Sequence, residues 1–271
     1  MSIMNHADDR SQDDRVLRFF GRHLVALCVT FRRKSRIDER PIFRAYAGTL
    51  IYIAGRNFFL TAGHILSELR DALEDDRVEV LNAVLGDTFG PTPKSKIPIP
   101  FALKREDMFF IDDAGEGLDF GVIMLNSYYV GLLAANGSVA LAEENWIHQH
   151  KIRFDGYLML GLPAEYTSDR VNADGEGTVS ATLISVTRLE KLPEGMAETR
   201  YPRFLGQLGV NFPLQSVRGM SGGPILGFNF EEPVRYWIVA LQSTWLRDRL
   251  LVFACPLPTL ASLMTRWARA G

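Results

Sequence analysis

Apolar residues cluster in short runs that turn-forming residues interrupt. LVALCVTF (24–31), GTLIYIAG (48–55), NFFLTAG (57–63), RVEVLNAVL (77–85), MFFIDD (108–113) and LDFGVIML (118–125) are rich in β-branched and aromatic residues. Each is bounded by Gly, Pro, Asn or Asp, so each predicts a strand. One helix interrupts them, HILSELRDALED (64–75), with Ile65, Leu66, Leu69 and Leu73 at helical spacing. A second strand series follows in FDGYLMLGL (154–162), GTVSATLISVTRLE (177–190), FLGQLGV (204–210), GGPILGF (222–228), YWIVALQST (236–244) and RLLVFACP (249–256). The ending LPTLASLMTRWARAG reads as a terminal helix with Leu260, Leu263, Met264 and Trp267 on one face.

The ends and the middle complete this plan. Residues 1–15 are polar and acidic and predict a flexible extension. From Val16 to His23 a short helix is expected, with Val16, Phe19 and Phe20 on one side. The middle, about 127–150, has helix formers around an Asn-Gly turn and reads as a linker with partial helix. The organisation is therefore about six strands (24–126), a linker, about six more strands (151–256) and a helix (257–270), with 16–271 as the folded part. Many short strands indicate sandwiches or barrels, and the lack of regular intervening helices argues against a βαβ repeat.

Composition narrows the function class. Of 271 residues, 47% are hydrophobic and 23% charged, as in soluble globular proteins, and the net charge of −2 supplies no field for nucleic acid or an anionic membrane. Runs such as Leu24 to Val29 are far shorter than a membrane-spanning helix requires. The start has neither the basic nor the apolar region of a secretory signal, so a cytoplasmic location is expected. Cys28 and Cys255 lie in apolar strand runs and read as buried free thiols. His148 and His150 form an HxH with no third ligand nearby, so neither metal nor cofactor is expected. The basic run Arg32, Arg33, Lys34 and Arg36 reads as an exposed turn, and the four tryptophans (Trp146, Trp237, Trp245, Trp267) as packing residues.

Three segments carry candidate chemistry. FFLTAGHIL places His64 just after a strand, GEGLDFGVIML puts Asp119 at the head of an apolar run, and RGMSGGPIL sets Ser221 among three glycines. Singly, each is an ordinary turn residue. Together they supply what nucleophilic catalysis needs: a serine, a base to take its proton, and a carboxylate to fix the base's tautomer. The glycines let backbone N–H groups converge where an oxyanion would form. Asp112 and Asp113 are rival carboxylates; Asp119 is preferred because the apolar run begins directly after it.

TAGHIL resembles TAAHC, LDFGVIML resembles DIALLxL, and GMSGGPIL resembles GDSGGPL, in the order His, Asp, Ser. These are the motifs of trypsin-like (chymotrypsin-fold) serine peptidases, and the likeness runs from about Leu24 to the end. RLLVFACPLPTL further resembles the last strand and helix of the bacterial HtrA-type branch. The resemblance implies an all-β fold of two six-stranded antiparallel barrels packed side by side, with a C-terminal helix and the site in the cleft between barrels. It implies a serine endopeptidase working through an acyl-enzyme. Ser221 would be the nucleophile, His64 the base and Asp119 its orienter, with the amides of Gly219 and Ser221 as the oxyanion hole. The partner would be a protein or peptide substrate, and processing of one protein in stress response or defence is the expected role.

The departures matter too. Met220 stands where secreted members carry an aspartate for a new N-terminus, and no PDZ-like segment follows the last helix, so control by a partner or by the N-terminal extension is expected. By resemblance the primary pocket would involve Gln215 at its base, a wall through Leu241, Gln242 and Ser243, and Leu251 opposite. No acid sits at Gln215, so small or medium apolar or polar residues are expected at the cleavage site. Arg218 is a candidate contact for an acidic substrate group or a solvated charge. The competing readings are a catalytically silent binding or regulatory module and an esterase of small substrates.

Overall fold

The computed structural model describes residues 6–146, 154–230 and 235–270, with backbone alone for 6–13 and 265–270. The HxH pair of His148 and His150 and the side chain of Trp267 lie outside the described residues.

The strands form two antiparallel units. In the first half β1 (Leu24–Arg33), β2 (Ile42–Ile53), β3 (Arg56–Thr61), β4 (Val78–Gly86), β5 (Ile99–Pro100), β6 (Met108–Asp113) and β7 (Leu118–Leu125) make one sheet in the order β5-β4-β1-β2-β3-β7-β6. In the second half β8 (Gly156–Gly161), β9 (Thr182–Arg188), β10 (Phe204–Leu208), β11 (Pro224–Asn229), β12 (Arg235–Leu246) and β13 (Leu251–Pro256) close into a six-stranded barrel. The all-β class and the terminal helix are those the sequence implied. The first half departs from the implied six-stranded barrel: its strands form a seven-stranded sheet with β5 and β6 at its two edges, and the seventh strand is the two-residue β5, too short to leave a run in the sequence.

Helices fill the gaps. α1 (His6–Gly21) begins well before Val16, so residues 6–14 are helical where the polar composition suggested a flexible extension. That stretch contains neither Gly nor Pro, and nothing in it stops a helix from propagating out of the amphipathic turn at Val16–Phe20. α2 (Gly63–Glu74) lays Ile65, Leu66 and Leu69 on the first-half core. α3 (Ser127–Ala135) is capped by Asn126, whose side chain accepts from the amides of Tyr128 and Tyr129, and it ends at Asn136-Gly137 with Gly137 at φ +95°. α4 (Leu257–Ala270) closes the chain.

Strand alternation explains how the halves join. On β1, Val25, Leu27 and Val29 enter the first-half core, whereas Leu24, Ala26 and Cys28 face the opposite way. That second face packs in one cluster with Leu226, Leu241 and Cys255 of the barrel and Leu257, Leu260 and Met264 of α4. The middle segment contributes too, since Leu141 bridges to Ile51 and Trp146 is fully buried in this cluster. Both cysteines are buried and unpaired.

Candidate active site

His64 sits in the first turn of α2, where β3 ends. β3 and β7 pair with Thr61 opposite Gly121, so two residues further on Asp119 faces Gly63 and reaches its neighbour His64. Gly63 is required here because a Cβ would lie 2.0 Å from the carbonyl oxygen of Ile111. Ala62, the helix N-cap, offers no side-chain acceptor. Asp119 supplies one instead, its Oδ1 accepting from the His64 amide at 2.9 Å and its Oδ2 from His64 Nδ1 at 2.8 Å. An ionised carboxylate only accepts, so the imidazole proton is on Nδ1 and the Nε2 lone pair is left for chemistry.

Asp119 is buried, at 4% exposure; two neighbours hold its carboxylate and a third its backbone amide. Besides His64, the Ser243 hydroxyl donates to Oδ2 at 2.5 Å, and the Asp119 amide donates to the Cys255 thiol sulfur at 3.1 Å. Burial alone would push the Asp119 carboxyl up. The His64 hydrogen bond and charge, with Ser243 and the His64 amide, outweigh it and hold the carboxyl below its ordinary range. For His64, burial pulls the imidazole down, but the hydrogen bond and charge of Asp119, assisted by Asp112 and Glu68, win, leaving it above its ordinary value. The rival carboxylates stand aside: Asp112 lies opposite Asp119 across the β6–β7 pair and acts only through its charge, and Asp113 caps the turn by accepting from the Glu116 amide.

Ser221 opens the turn before β11. Three neighbouring amides are occupied: Met220 donates to Val217, Gly222 to Gln242, and Gly223 to Met220. Among the described residues nothing accepts from the amides of Gly219 or Ser221. Their direction is fixed, because a trans peptide points its N–H away from its C=O. The Arg218 carbonyl is held by the Ala164 amide at 2.8 Å and the Met220 carbonyl by Gly223 at 3.0 Å, so the amides of residues 219 and 221 face the other way. Gly219 has φ +86°, and a Cβ there would lie 2.6 Å from the Leu162 carbonyl oxygen. Gly222, at φ +81°, lets the loop press on the first half, since a Cβ would meet Thr61 Oγ1 at 2.2 Å and the Ala47 carbonyl oxygen at 2.3 Å. The Ser221 hydroxyl donates to the Ser243 carbonyl at 2.9 Å and not to His64.

His64, Asp119, Gly219 and Ser221 all line one cleft of about 720 Å³ between the halves. Of the expected pocket residues, Gln242 and Ser243 line it as well, whereas Gln215, Leu241 and Leu251 do not. Gln215 is exposed, and its amide donates to Glu165. Leu241 belongs to the core shared by the halves, and Leu251 packs with Leu205 and Phe253. β12 carries a bulge here: Gln242 pairs with Ala254 and Thr244 with Phe253, leaving Ser243 without a ladder partner, and its hydroxyl reaches Asp119. Ser243, expected in a pocket wall, is thus a support of the carboxylate. The apolar run around Cys255 signals only a buried thiol, and nothing in it announces the contact with Asp119. Thr244 and Trp245 line the cleft beyond the bulge, and Arg218 lines it with an exposed side chain. The basic run near residue 33 forms surface ion pairs, Arg32 with Glu79 and Arg36 with Glu39.

Neither a protein-family profile nor a curated protein matches the sequence. Solved structures similar to the chain include several proteases. A Glu endopeptidase is 13% identical, with 90% of each chain covered and a TM-score of 0.48. The protease Anisep from Arthrobacter nicotinovorans is 13% identical over 92% of this chain and 96% of its own, with a TM-score of 0.47. Rv3671c from M. tuberculosis is 9% identical over 98% and 95%, with a TM-score of 0.43. At this distance function has to be argued from the side chains in the cleft. No helix among the described residues is long and apolar enough to cross a membrane.

Proposed function

We propose that this chain is a serine endopeptidase that hydrolyses peptide bonds through an acyl-enzyme. The observation that carries the reading is the buried Asp119 holding His64 through both ring and backbone, in the same cleft as a serine whose own amide and that of Gly219 are unspent. In this mechanism the Ser221 hydroxyl leaves the Ser243 carbonyl by rotation about χ1 and gives its proton to His64 Nε2 as Oγ attacks the substrate carbonyl carbon. The oxyanion that forms receives the N–H groups of Gly219 and Ser221. His64, now an imidazolium stabilised by Asp119, returns the proton to the departing amine. Water then repeats the sequence against the acyl-enzyme and frees Ser221.

The proposed substrate is a protein or peptide, with processing of one protein in stress response or defence as the setting and the cytoplasm as the place. Restraint would come from a protein partner or from the N-terminal segment, although none of the described residues of α1 lines the cleft. A second reading, a silent fold that only binds, is favoured by one observation: the Ser221 hydroxyl is bonded to the Ser243 carbonyl instead of to the base. A fluorophosphonate probe separates the two. Labelling of Ser221 that is lost in Ser221→Ala, with turnover lowered about 10⁴- to 10⁶-fold in His64→Ala, supports the enzyme. An unlabelled, folded wild type refutes it, and ester turnover without peptide turnover makes it an esterase.

A further inference from the structure

We propose that Gln242 reads the residue before the scissile bond and selects a side-chain amide, asparagine or glutamine; this rests on the endopeptidase reading. The backbone of Gln242 is pinned to the two residues that follow the nucleophile, its carbonyl accepting from the Gly222 amide and its amide donating to the Gly223 carbonyl, both at 2.9 Å. The residue therefore lies directly beside Ser221, and it lines the cleft. It is 1% exposed, and its Oε1 has no hydrogen-bond partner among the described residues, while its Nε2 reaches only the Thr244 carbonyl at 3.4 Å. An unpaired buried acceptor on a residue that lines the cleft is costly to the free protein, and a substrate side chain that displaces its cover and donates to it removes that cost.

The surroundings choose the donor. Val217, Gly219, Thr244 and Trp245 give the cleft an uncharged stretch on the barrel side, where the one formal charge is the exposed Arg218; the carboxylates that line the cleft are Glu68, Asp112, Asp119 and Asp169, with Arg44 beside them. A lysine or arginine side chain entering this wall would find no counter-charge and would be desolvated at a loss. A glutamate would set a carboxylate, which only accepts, against a spare acceptor. A primary amide donates to Oε1 without bringing a charge, and its own oxygen is free to accept from Nε2, whose present bond is long.

The test uses peptides that differ only at the residue before the cleavage point, carrying Gln, Asn, Met, Leu, Glu or Arg, with wild type and Gln242→Met. Both proteins are first titrated with a fluorophosphonate to count active Ser221. Wild type is expected to cleave after Gln or Asn about 10-fold or more faster than after their near-isosteres Met and Leu. In Gln242→Met that ratio is expected to fall to about 1. Labelling with no amide preference, with preference for Glu or Arg, or with a ratio unchanged in Gln242→Met overturns this proposal and leaves the hydrolytic reading standing. A wild type that neither labels nor cleaves overturns both. Should Gln242→Met fail to fold, the wild-type ratio decides alone.

Discussion

Replacing Gly222 by alanine is expected to damage both stability and nucleophile reactivity, and Gly175 provides the control that says why. Both glycines have φ +81°, so alanine at either costs the left-handed penalty of about 1–2 kcal/mol. At Gly175 a new Cβ meets nothing within 4 Å, and the cost stops there. At Gly222 it would fall 2.2 Å from Thr61 Oγ1, which is itself fixed by donating to the Ala47 carbonyl at 2.7 Å, and 2.3 Å from that same carbonyl oxygen. Neither can retreat easily, because Thr61 is fully buried and Ala47 lies within β2. Overpacking of this kind adds about 1–3 kcal/mol, for a total of about 2–5. Part of that total is relieved by lifting the loop off the first half, which moves the Ser221 amide and hydroxyl relative to His64. Denaturant unfolding measures the first effect and the rate of fluorophosphonate labelling the second. Gly222→Ala is expected to lose at least about 1 kcal/mol more than Gly175→Ala and to label at least about 10-fold more slowly, whereas Gly175→Ala labels normally. Equal stability losses and equal labelling rates would refute the close docking of the two halves at this loop.

Other substitutions test the supports of the site. If the proposed triad operates, Asp119→Asn is expected to lower kcat by about 10⁴, because an amide can hold the imidazole in the wrong tautomer and supplies no charge to its protonated form. It should also move the acidic limb of kcat/KM to lower pH, since the two Asp119 contributions that raise His64 are lost and burial then acts against Asp112 and Glu68 alone; an unmoved limb would exclude Asp119 as its partner. Ser243→Ala removes a hydrogen bond to a buried charge and is expected to cost about 1.5–3 kcal/mol at pH 7. The depressed Asp119 carboxyl contributes stability above its unfolded value of about 3.9, which is lost as pH falls through the folded value, so this cost should shrink in acid; an equal cost at pH 3 and pH 7 counts against it. Leu251→Ala is expected to destabilise by about 2–5 kcal/mol, and cleavage preference measured on the same peptide set should not change if Leu251 is core and not pocket wall.

The strands and the three catalytic candidates are legible in the sequence because both are written locally. The apolar runs LVALCVTF and LDFGVIML become β1 and β7, and small residues around His64 and Ser221 mark backbone that must come close to something else. Gly63 and Gly222 are the clearest cases, each demanded by a carbonyl of another strand. The pocket is less legible, because its lining comes from separate loops and strands, and past the unpaired Ser243 the register of β12 against β13 shifts by one. No composition or spacing announces a bulge, nor that both Thr244 and Trp245 beyond it line the cleft, while Leu241 before it belongs to the core. The length of α1 escapes the sequence for a different reason. Polar composition predicts poor burial, but it does not forbid backbone hydrogen bonds continuing from an anchored turn.

The double grip of Asp119 on His64 makes the imidazole and the beginning of α2 a single mechanical piece. A ring that swung away from Oδ2 would strain the bond from Oδ1 to its own amide, and a first turn that frayed would carry the imidazole off with it. Wear on the helix end and failure of proton transfer should therefore arrive together, and amide exchange at residue 64 would report the integrity of the base in a protein that has never met its substrate.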